Sequence, residues 1–283
     1  MVTLTTADGV CLQLHTWPAP AGPVCGSVLI VHGLGEHGGR YAHVAARLAG
    51  QGWAVAAYDQ RGHGLSTGPR GGLAVAHSLL ADLGAVITHQ RRVLPAPLFL
   101  LGHSMGGLLV GRYVAEALSP TPAAWWQAVD GLVMSSPAID PGMSRVQKLL
   151  LALATPIAPG LALGNGLKPA WVCSDPAVVR DYVADRLNHD RVTPRLVRFI
   201  VDAGVLLRAC APRWTTPTLL LYAGADRCVA ASGSEVFAAA APPGVVASHC
   251  YAGLAHEIFN EPEQDQVLAD LMAWLATQTT ALA

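Results

Sequence analysis

The run LLGHSMGGLL (residues 101–110) sets Ser104 between two glycines, Gly102 and Gly106, each two positions away. Apolar residues precede it and a helical pattern follows, so this Gly-x-Ser-x-Gly falls where a strand would turn sharply into a helix. A serine in so tight a turn needs neighbours without side chains, and the following helix offers it the positive end of its peptide dipoles. Read chemically, Ser104 is a nucleophile; read structurally, it is an N-capping serine in a glycine-rich turn.

A hydroxyl attacks only with a base beside it and an acid to orient that base. In a strand–turn–helix elbow these partners follow the serine along the chain, acid first and histidine second. Asp226 comes just after the apolar run LLLYAGA, at a predicted strand end, where ligand sites gather in open α/β sheets. His256, in GLAHEIFNE, precedes the last helical stretch. Asp140, after GLVMSS, is the runner-up acid, and His249 sits inside a strand pattern and reads as structural. The developing oxyanion needs amide donors, each worth about two to three powers of ten in rate. One is the N–H of Met105, the residue after the nucleophile. The other is that of Leu34 in HGLGEHGGRY (32–41), where Gly33 and Gly35 leave the backbone open.

Other patterns carry less. His32 and His37 have no acidic or cysteine partner at a metal-binding spacing, so no metal or organic cofactor is expected. His77 and Asp82 make an H-x4-D pattern similar to that of glycerolipid acyltransferases, but eleven histidines produce such a pair readily by chance. The loop DQRGHGLS (59–66) lacks the Lys-Ser/Thr ending of a phosphate cradle. Trp125–Trp126 reads as loop packing.

The elements that must position these residues alternate between β and α. SVLIVH (27–32), WAVAAY (53–58), PLFLLG (97–102), GLVMSSP (131–137), TPTLLLYAG (216–224) and VVASHCY read as strands. Helical patterns lie between them at 41–50, 77–92, 104–118 and 234–241, with a closing helix around EQDQVLADLMAWLATQ. TLTTADGVCLQLHT predicts a leading antiparallel hairpin. This rhythm predicts an α/β chain with a mostly parallel central sheet and helices on both faces. It breaks between residues 138 and 213, where no strand is evident and prolines and glycines cluster before two helical runs. The expected organisation is a core of 1–137 and 214–283 with 138–213 inserted as a helical cap, lying over the strand ends as a lid.

Composition narrows the partners. Of 283 residues, 52% are hydrophobic and 13% charged, with a net charge of −1, which excludes extended disorder and gives no footprint for nucleic acid. Mean hydropathy is +0.38, yet no uncharged apolar run reaches the roughly 18 residues a spanning helix needs. The N-terminal MVTLTTADGVCLQLH has no secretory pattern, and the six cysteines form no CxxC pair, so reduced thiols and a cytoplasmic location are expected.

HGLGEHGGRY (32–41), YDQRGHGLSTG (58–68), GHSMGG (102–107), GADRCV (224–229) and HEIFNE (256–261) occur in one order over nearly the whole chain outside the insertion. Together they resemble the monoacylglycerol lipases and related lysophospholipases of the α/β-hydrolase superfamily. The resemblance implies that Ser104, Asp226 and His256 form the triad and that Leu34 and Met105 supply the oxyanion N–H groups. It also implies that Glu36 and Arg40 help bind the polar head of a glyceride-like substrate; a loop ion pair shaping the turn is the alternative. Cys228 falls one position short of a cysteine that is reactive in some family members, so that role is not transferred. The expected activity is hydrolysis of single-chain acyl esters, with peripheral contact of the cap with lipid aggregates. A peptidase of the proline-iminopeptidase type, a thioesterase and a non-catalytic receptor on the same fold are the competitors.

Overall fold

Six short runs free of Asp, Glu, Lys and Arg make the parallel part of the sheet. They are β3 (Gly26–Val31), β4 (Trp53–Tyr58), β5 (Leu98–His103), β6 (Gly131–Ser135), β9 (Thr218–Ala223) and β10 (Val246–Tyr251). In the computed structural model, which describes residues 2–18 and 22–282, they join β1 (Val2–Thr5) and β2 (Cys11–Trp17) in one eight-stranded sheet. The spatial order is β1-β2-β4-β3-β5-β6-β9-β10, with β1–β2 and β2–β4 antiparallel and every other pair parallel. The predicted hairpin is present: β1 and β2 meet across a turn in which Gly9 takes φ +84° and Gly9 N–H donates to Thr6.

Helices cover both faces because the inner strands are apolar on both. Along β3, Val28 and Ile30 face one core while Leu29 and Val31 face the other, and β5 splits Phe99 and Leu101 from Leu98 and Leu100 in the same way. α1 (Ala42–Ala49) and α8 (Gln264–Leu282) pack on the first face. α2 (Ser78–Val93), α3 (Met105–Ala115) and α7 (Ala231–Ala240) pack on the second. No helix among the described residues is long and apolar enough to cross a membrane.

Between β6 and β9 the chain forms α4 (Arg145–Ile157), β7 (Leu163–Gly164), α5 (Pro176–Ala184), β8 (Arg191–Val192) and α6 (Pro194–Cys210). The antiparallel β7–β8 pair departs from the strandless stretch expected there; two residues per strand are too few for alternation to show. α4 runs through Pro156, which falls in its last turn, and starts at a capping box of Ser144 and Gln147. α6 packs on α3 and buries Leu196, Phe199, Ile200, Ala203 and Leu207 in the larger core. The later part of the inserted segment is therefore rooted in the body.

Candidate active site

Ser104 lies between β5 and α3 with φ 55° and ψ −120°, a conformation that costs a residue with a side chain roughly 1–3 kcal/mol. The crossing is tight enough that its glycines have no substitute. A Cβ on Gly102 would collide with the Gly106 carbonyl, and one on Gly106 with the carbonyls of Val31 and His32. Ser104 N–H donates to Ser135 O (2.9 Å), which pins the turn to β6 and leaves the side chain facing a cavity. The Ser104 hydroxyl makes no hydrogen bond among the described residues.

The loop after β9 carries Asp226 and the loop after β10 carries His256. His256 Nδ1 and Asp226 Oδ2 are 2.6 Å apart, with both side chains almost wholly buried. The other carboxylate oxygen, Oδ1, accepts from the N–H groups of Cys228 (2.7 Å) and Val229 (3.0 Å). Burial pushes the Asp226 carboxyl up, but the bond from His256 and these amides outweigh it and hold it below its ordinary value. His256 and Ser104 line the same cavity of about 230 Å³. The His103 ring is 4.8 Å from that of His256, and burial followed by the His256 charge pushes it down to about 3. A neutral ring therefore backs the site.

Leu34 and Met105 both line a second, larger cavity of about 660 Å³ that also reaches Ser104. Neither backbone N–H donates to a protein acceptor among the described residues. The Leu34 loop is held by a carboxylate. Glu36 Oε1 accepts from Gly33 N–H (2.5 Å) and Tyr41 OH (2.8 Å), and Oε2 from Arg40 (2.6 Å). Burial alone would raise the Glu36 carboxyl; Arg40 and the nearby histidines override it and hold it at about 2. Arg40 also forks onto Glu257 with two bonds of 2.7 Å and lies over the Tyr182 ring. Glu36 lines the smaller cavity, whereas Arg40 is not among its lining residues. The geometry thus makes their pair a brace of the loop.

Sequence reasoning missed how the second glycine-rich loop supports the first. Asp59 accepts from Gly38 N–H (2.8 Å) and Leu65 N–H (2.8 Å) and bonds His15 (2.9 Å). Gln60 N–H donates to His32 Nε2 (2.9 Å), while His32 Nδ1 lies 2.7 Å from Gly33 O. His37 Nε2 bonds Asp185 of the inserted segment. Both histidines weighed as metal ligands are thus occupied in holding loops. From the insertion, His189 N–H donates to Gly35 O (2.8 Å), and its carbonyl sits where a Gly35 Cβ would be. The His189 ring lies 4.6 Å from that of His63, tilted by 42°, and His63 is itself 5.3 Å from His32. Only glycine, at φ +79°, lets the inserted chain come this close to the neighbour of Leu34.

These buried imidazoles set a pH dependence of stability. Burial holds His32 and His63 below their ordinary value, His189 at about 4 and His103 at about 3. In the unfolded chain a histidine titrates near 6.5, so below that pH the unfolded state takes up protons that the folded state refuses. Stability is expected to fall from pH 6.5 toward 4, by up to about 1.4 kcal/mol per pH unit for each of the fully buried His32, His63 and His103 kept neutral, and by less for His189, whose partial exposure lets solvent screen it. Below about 4 the depressed carboxyls of Glu36 and Asp59 add to the loss. Urea midpoints measured across this range check it; a midpoint that stays flat from pH 7 to 5 would contradict it.

The remaining candidates fall elsewhere. Asp140 accepts from Gly142 N–H, and among the described residues the carboxylate bonded to His256 is that of Asp226. His249 is half-exposed and stacks on Tyr251. His77 is exposed at the start of α2, and Asp82 is buried on Arg61. Trp125 packs on Tyr113. All six cysteines are free thiols. Asp226, Cys228 and His256 present ligand atoms within 4.8 Å of one another. As a metal set they fit poorly, because Asp226 is already saturated with N–H donors and burial pushes the Cys228 thiol up, keeping it protonated.

The family model described as serine aminopeptidase, S33 matches residues 22–263. The chain is 33% identical to the monoacylglycerol lipase of Mycolicibacterium smegmatis over 273 residues, covering 95% of this chain and 94% of that protein. It is 30% identical to phospholipase YtpA of Bacillus subtilis over 262 residues, covering 90% and 95% respectively. The crystal structure of a monoacylglycerol lipase from Paleococcus ferrophilus superposes with a TM-score of 0.83 at 32% identity, covering 94% of this chain and 99% of that one. With its elbow, its sheet order and this match over most of its length, the chain belongs to the serine aminopeptidase S33 family of α/β-hydrolases.

Proposed function

We propose that the chain is a serine hydrolase that cleaves carboxylic esters of single-chain lipids through an acyl-enzyme on Ser104. The observation that carries this reading is the buried His256–Asp226 pair, 2.6 Å apart, on the cavity that Ser104 lines. His256 Nε2 takes the Ser104 proton as the hydroxyl oxygen bonds to the ester carbonyl carbon. The carbonyl oxygen, now anionic, accepts from the N–H groups of Leu34 and Met105. His256 passes its proton to the leaving alkoxide as the C–O bond breaks. It then takes a proton from water, whose oxygen attacks the acyl carbon and releases the fatty acid, and the proton returns to Ser104. Asp226 holds the Nδ1–H tautomer throughout. Glu36 and Arg40 serve by fixing the Leu34 loop, and Glu36 also faces the alcohol side of the substrate.

The larger cavity suits the acyl chain. Its walls include Met105, Leu150, Leu151, Val197 and Ile200, drawn from both α3 and the inserted segment. We assign residues 138–213 as the cap, with α4 as the roof and α6 as its anchor in the body. On the outer side of α4, Val146, Leu149, Leu153 and Ile157 are exposed, which supports peripheral contact with lipid aggregates. Location in the cytoplasm is part of the same reading, as is turnover without a cofactor.

A substrate panel tests it: monoacylglycerol, lysophospholipid and p-nitrophenyl esters of one chain length, the matching thioester, and an aminoacyl anilide. A single-chain lipid ester is expected to exceed the thioester and the anilide in kcat/KM by more than about tenfold, a margin of some 1.4 kcal/mol in transition-state binding. Preference for the anilide would move the chain to the peptidases that give its family its name. No turnover of any substrate by folded protein would favour the receptor reading.

A further inference from the structure

Three segments of chain meet behind the smaller cavity, and each is bonded to the other two. The inserted segment holds the loop that carries His256: Glu257 N–H donates to Val172 O (2.7 Å), the Cys173 thiol to Asn260 O (3.3 Å) and Ser174 N–H to Glu261 (2.5 Å). The same segment reaches the Leu34 loop, through Asp185 on His37 and His189 N–H on Gly35 O. The third side joins the Leu34 loop to the His256 loop and turns on one arginine. Arg40 donates to Glu36 of its own loop and, by a two-bonded fork, to Glu257 of the other, and its Cζ lies 4.8 Å from the ring centroid of Tyr182 in α5.

Glu257 is the joint of that third side. It directly follows His256, is buried, and its Oε2 also accepts from Asn260 Nδ2 (2.8 Å). From base to oxyanion donor the path runs His256, Glu257, Arg40, Glu36, Gly33, Leu34, and each joint is a peptide bond or a hydrogen bond of 2.5 to 2.7 Å. A guanidinium forked onto a carboxylate fixes direction as well as distance. The sheet places only the roots of these loops, since three strands separate β3 from β10. Glu257 also lines the smaller cavity, so it could touch the alcohol of a substrate instead. Its contacts favour the strut: both carboxylate oxygens are bonded to Arg40, and one of them to Asn260 as well.

We propose that Glu257 is a positioning residue, whose fork on Arg40 locks the His256 loop to the Leu34 loop so that the base and the oxyanion donor keep one spacing about the Ser104 oxygen. This rests on the reading of Ser104 as the acylated nucleophile and of Leu34 as an oxyanion donor. Glu257 itself takes and gives no proton. A displacement of about 1 Å at the reacting atoms costs on the order of a hundredfold in rate. Loss of the fork is therefore felt in kcat, and alike for every ester. Loss of a contact to the alcohol would be felt in KM, and only for esters whose alcohol bears hydroxyls.

The test measures kcat and KM on 1-butyroylglycerol and on p-nitrophenyl butyrate for the native chain, Glu257→Gln, Arg40→Lys and the double variant. Each rate is divided by the sites that a fluorophosphonate titrates, so unfolded protein does not count. Glu257→Gln is expected to lose about 30- to 100-fold in kcat on both esters, with KM within about twofold of native. Arg40→Lys keeps the charge without the fork and loses a similar factor. The double variant falls no more than about threefold below the worse single one, because both changes break one strut. A loss confined to the glyceride, or carried by KM, overturns the proposal, since Glu257 then touches the alcohol. So does a Glu257→Gln loss under about threefold, or losses that multiply in the double variant. If Glu257→Gln does not fold, a folded Arg40→Lys variant with native kcat overturns it in the same way. A native chain that is not labelled and turns over neither ester fails the underlying reading; a labelled, active native chain with an indifferent Glu257→Gln variant removes this proposal alone.

Discussion

Ser104→Ala is expected to lower kcat by about 10⁴- to 10⁶-fold while leaving the urea midpoint where it was. The two halves of this expectation have separate causes. The hydroxyl is the atom proposed to bond to the acyl carbon, and alanine supplies nothing in its place. Stability is unmoved because the hydroxyl makes no hydrogen bond among the described residues and points into a cavity. Ser104→Gly makes a sharper companion. It loses activity equally, but it relieves a φ of 55° that only glycine adopts freely, so it is expected to be more stable by about 1 kcal/mol. Denaturation midpoints with rates on one substrate check all three proteins. A Ser104→Ala variant that keeps a tenth of the native rate would remove the nucleophile from the account.

The second large effect is expected from Asp226→Asn. Asp226 Oδ1 already accepts two backbone N–H groups, from Cys228 and Val229, so the amide oxygen of an asparagine must occupy that position. The amide nitrogen then faces His256 Nδ1, where Asp226 now accepts. An N–H donor there forces the imidazole to put its own proton on Nε2, and Nε2 can no longer take one from Ser104. The expected loss is about 10⁴-fold in kcat at neutral pH, the magnitude that the wrong tautomer costs in a serine-protease triad. KM should change little, since Asp226 does not face the chambers. The check is a kcat and KM pair at pH 7 beside a folding measurement. A tenfold loss, or one carried by KM, would mean that the carboxylate acts by holding the loop and not by setting the tautomer.

Much of this site could be read from the sequence because it rests on local signals. Gly102 and Gly106 are spaced as the elbow requires, and the runs that became β5, β6 and β9 are mostly apolar and buried throughout because both of their faces are covered. The proposed partners of Ser104, Asp226 and His256, follow from chain order. What could not be read was contact between distant segments. Glu257 meets Arg40 across 217 positions, and nothing in either neighbourhood announces the other. His189 reaches Gly35 from the inserted segment, where prolines and glycines hide any period. The two-residue strands Leu163–Gly164 and Arg191–Val192 are too short to show alternation. The start of α4 was different: Ser144 and Gln147 spell a capping box, a signal open to reading beforehand.

For Glu36 and Arg40 the sequence leaves two roles open, and the contacts in the structure support the bracing one. Arg40 has two carboxylates and the face of Tyr182 around it, and Glu36 holds Gly33, Tyr41 and Arg40 at once. Groups so fully engaged have little left to offer a substrate. We propose that their main effect on rate passes through the Leu34 amide, whose loop they brace, while Glu36 keeps a place on the wall of the smaller cavity.

The central claim is that Ser104 is nucleophilic in the folded chain because His256 can accept its proton. A fluorophosphonate probe, which bonds only to such an activated oxygen, addresses it in one measurement: incubation of the folded native protein followed by mass mapping of the adduct. The account predicts one phosphonyl group per chain, on Ser104, lost when the protein is first unfolded. An adduct on another residue, or a folded and unlabelled protein, would contradict it.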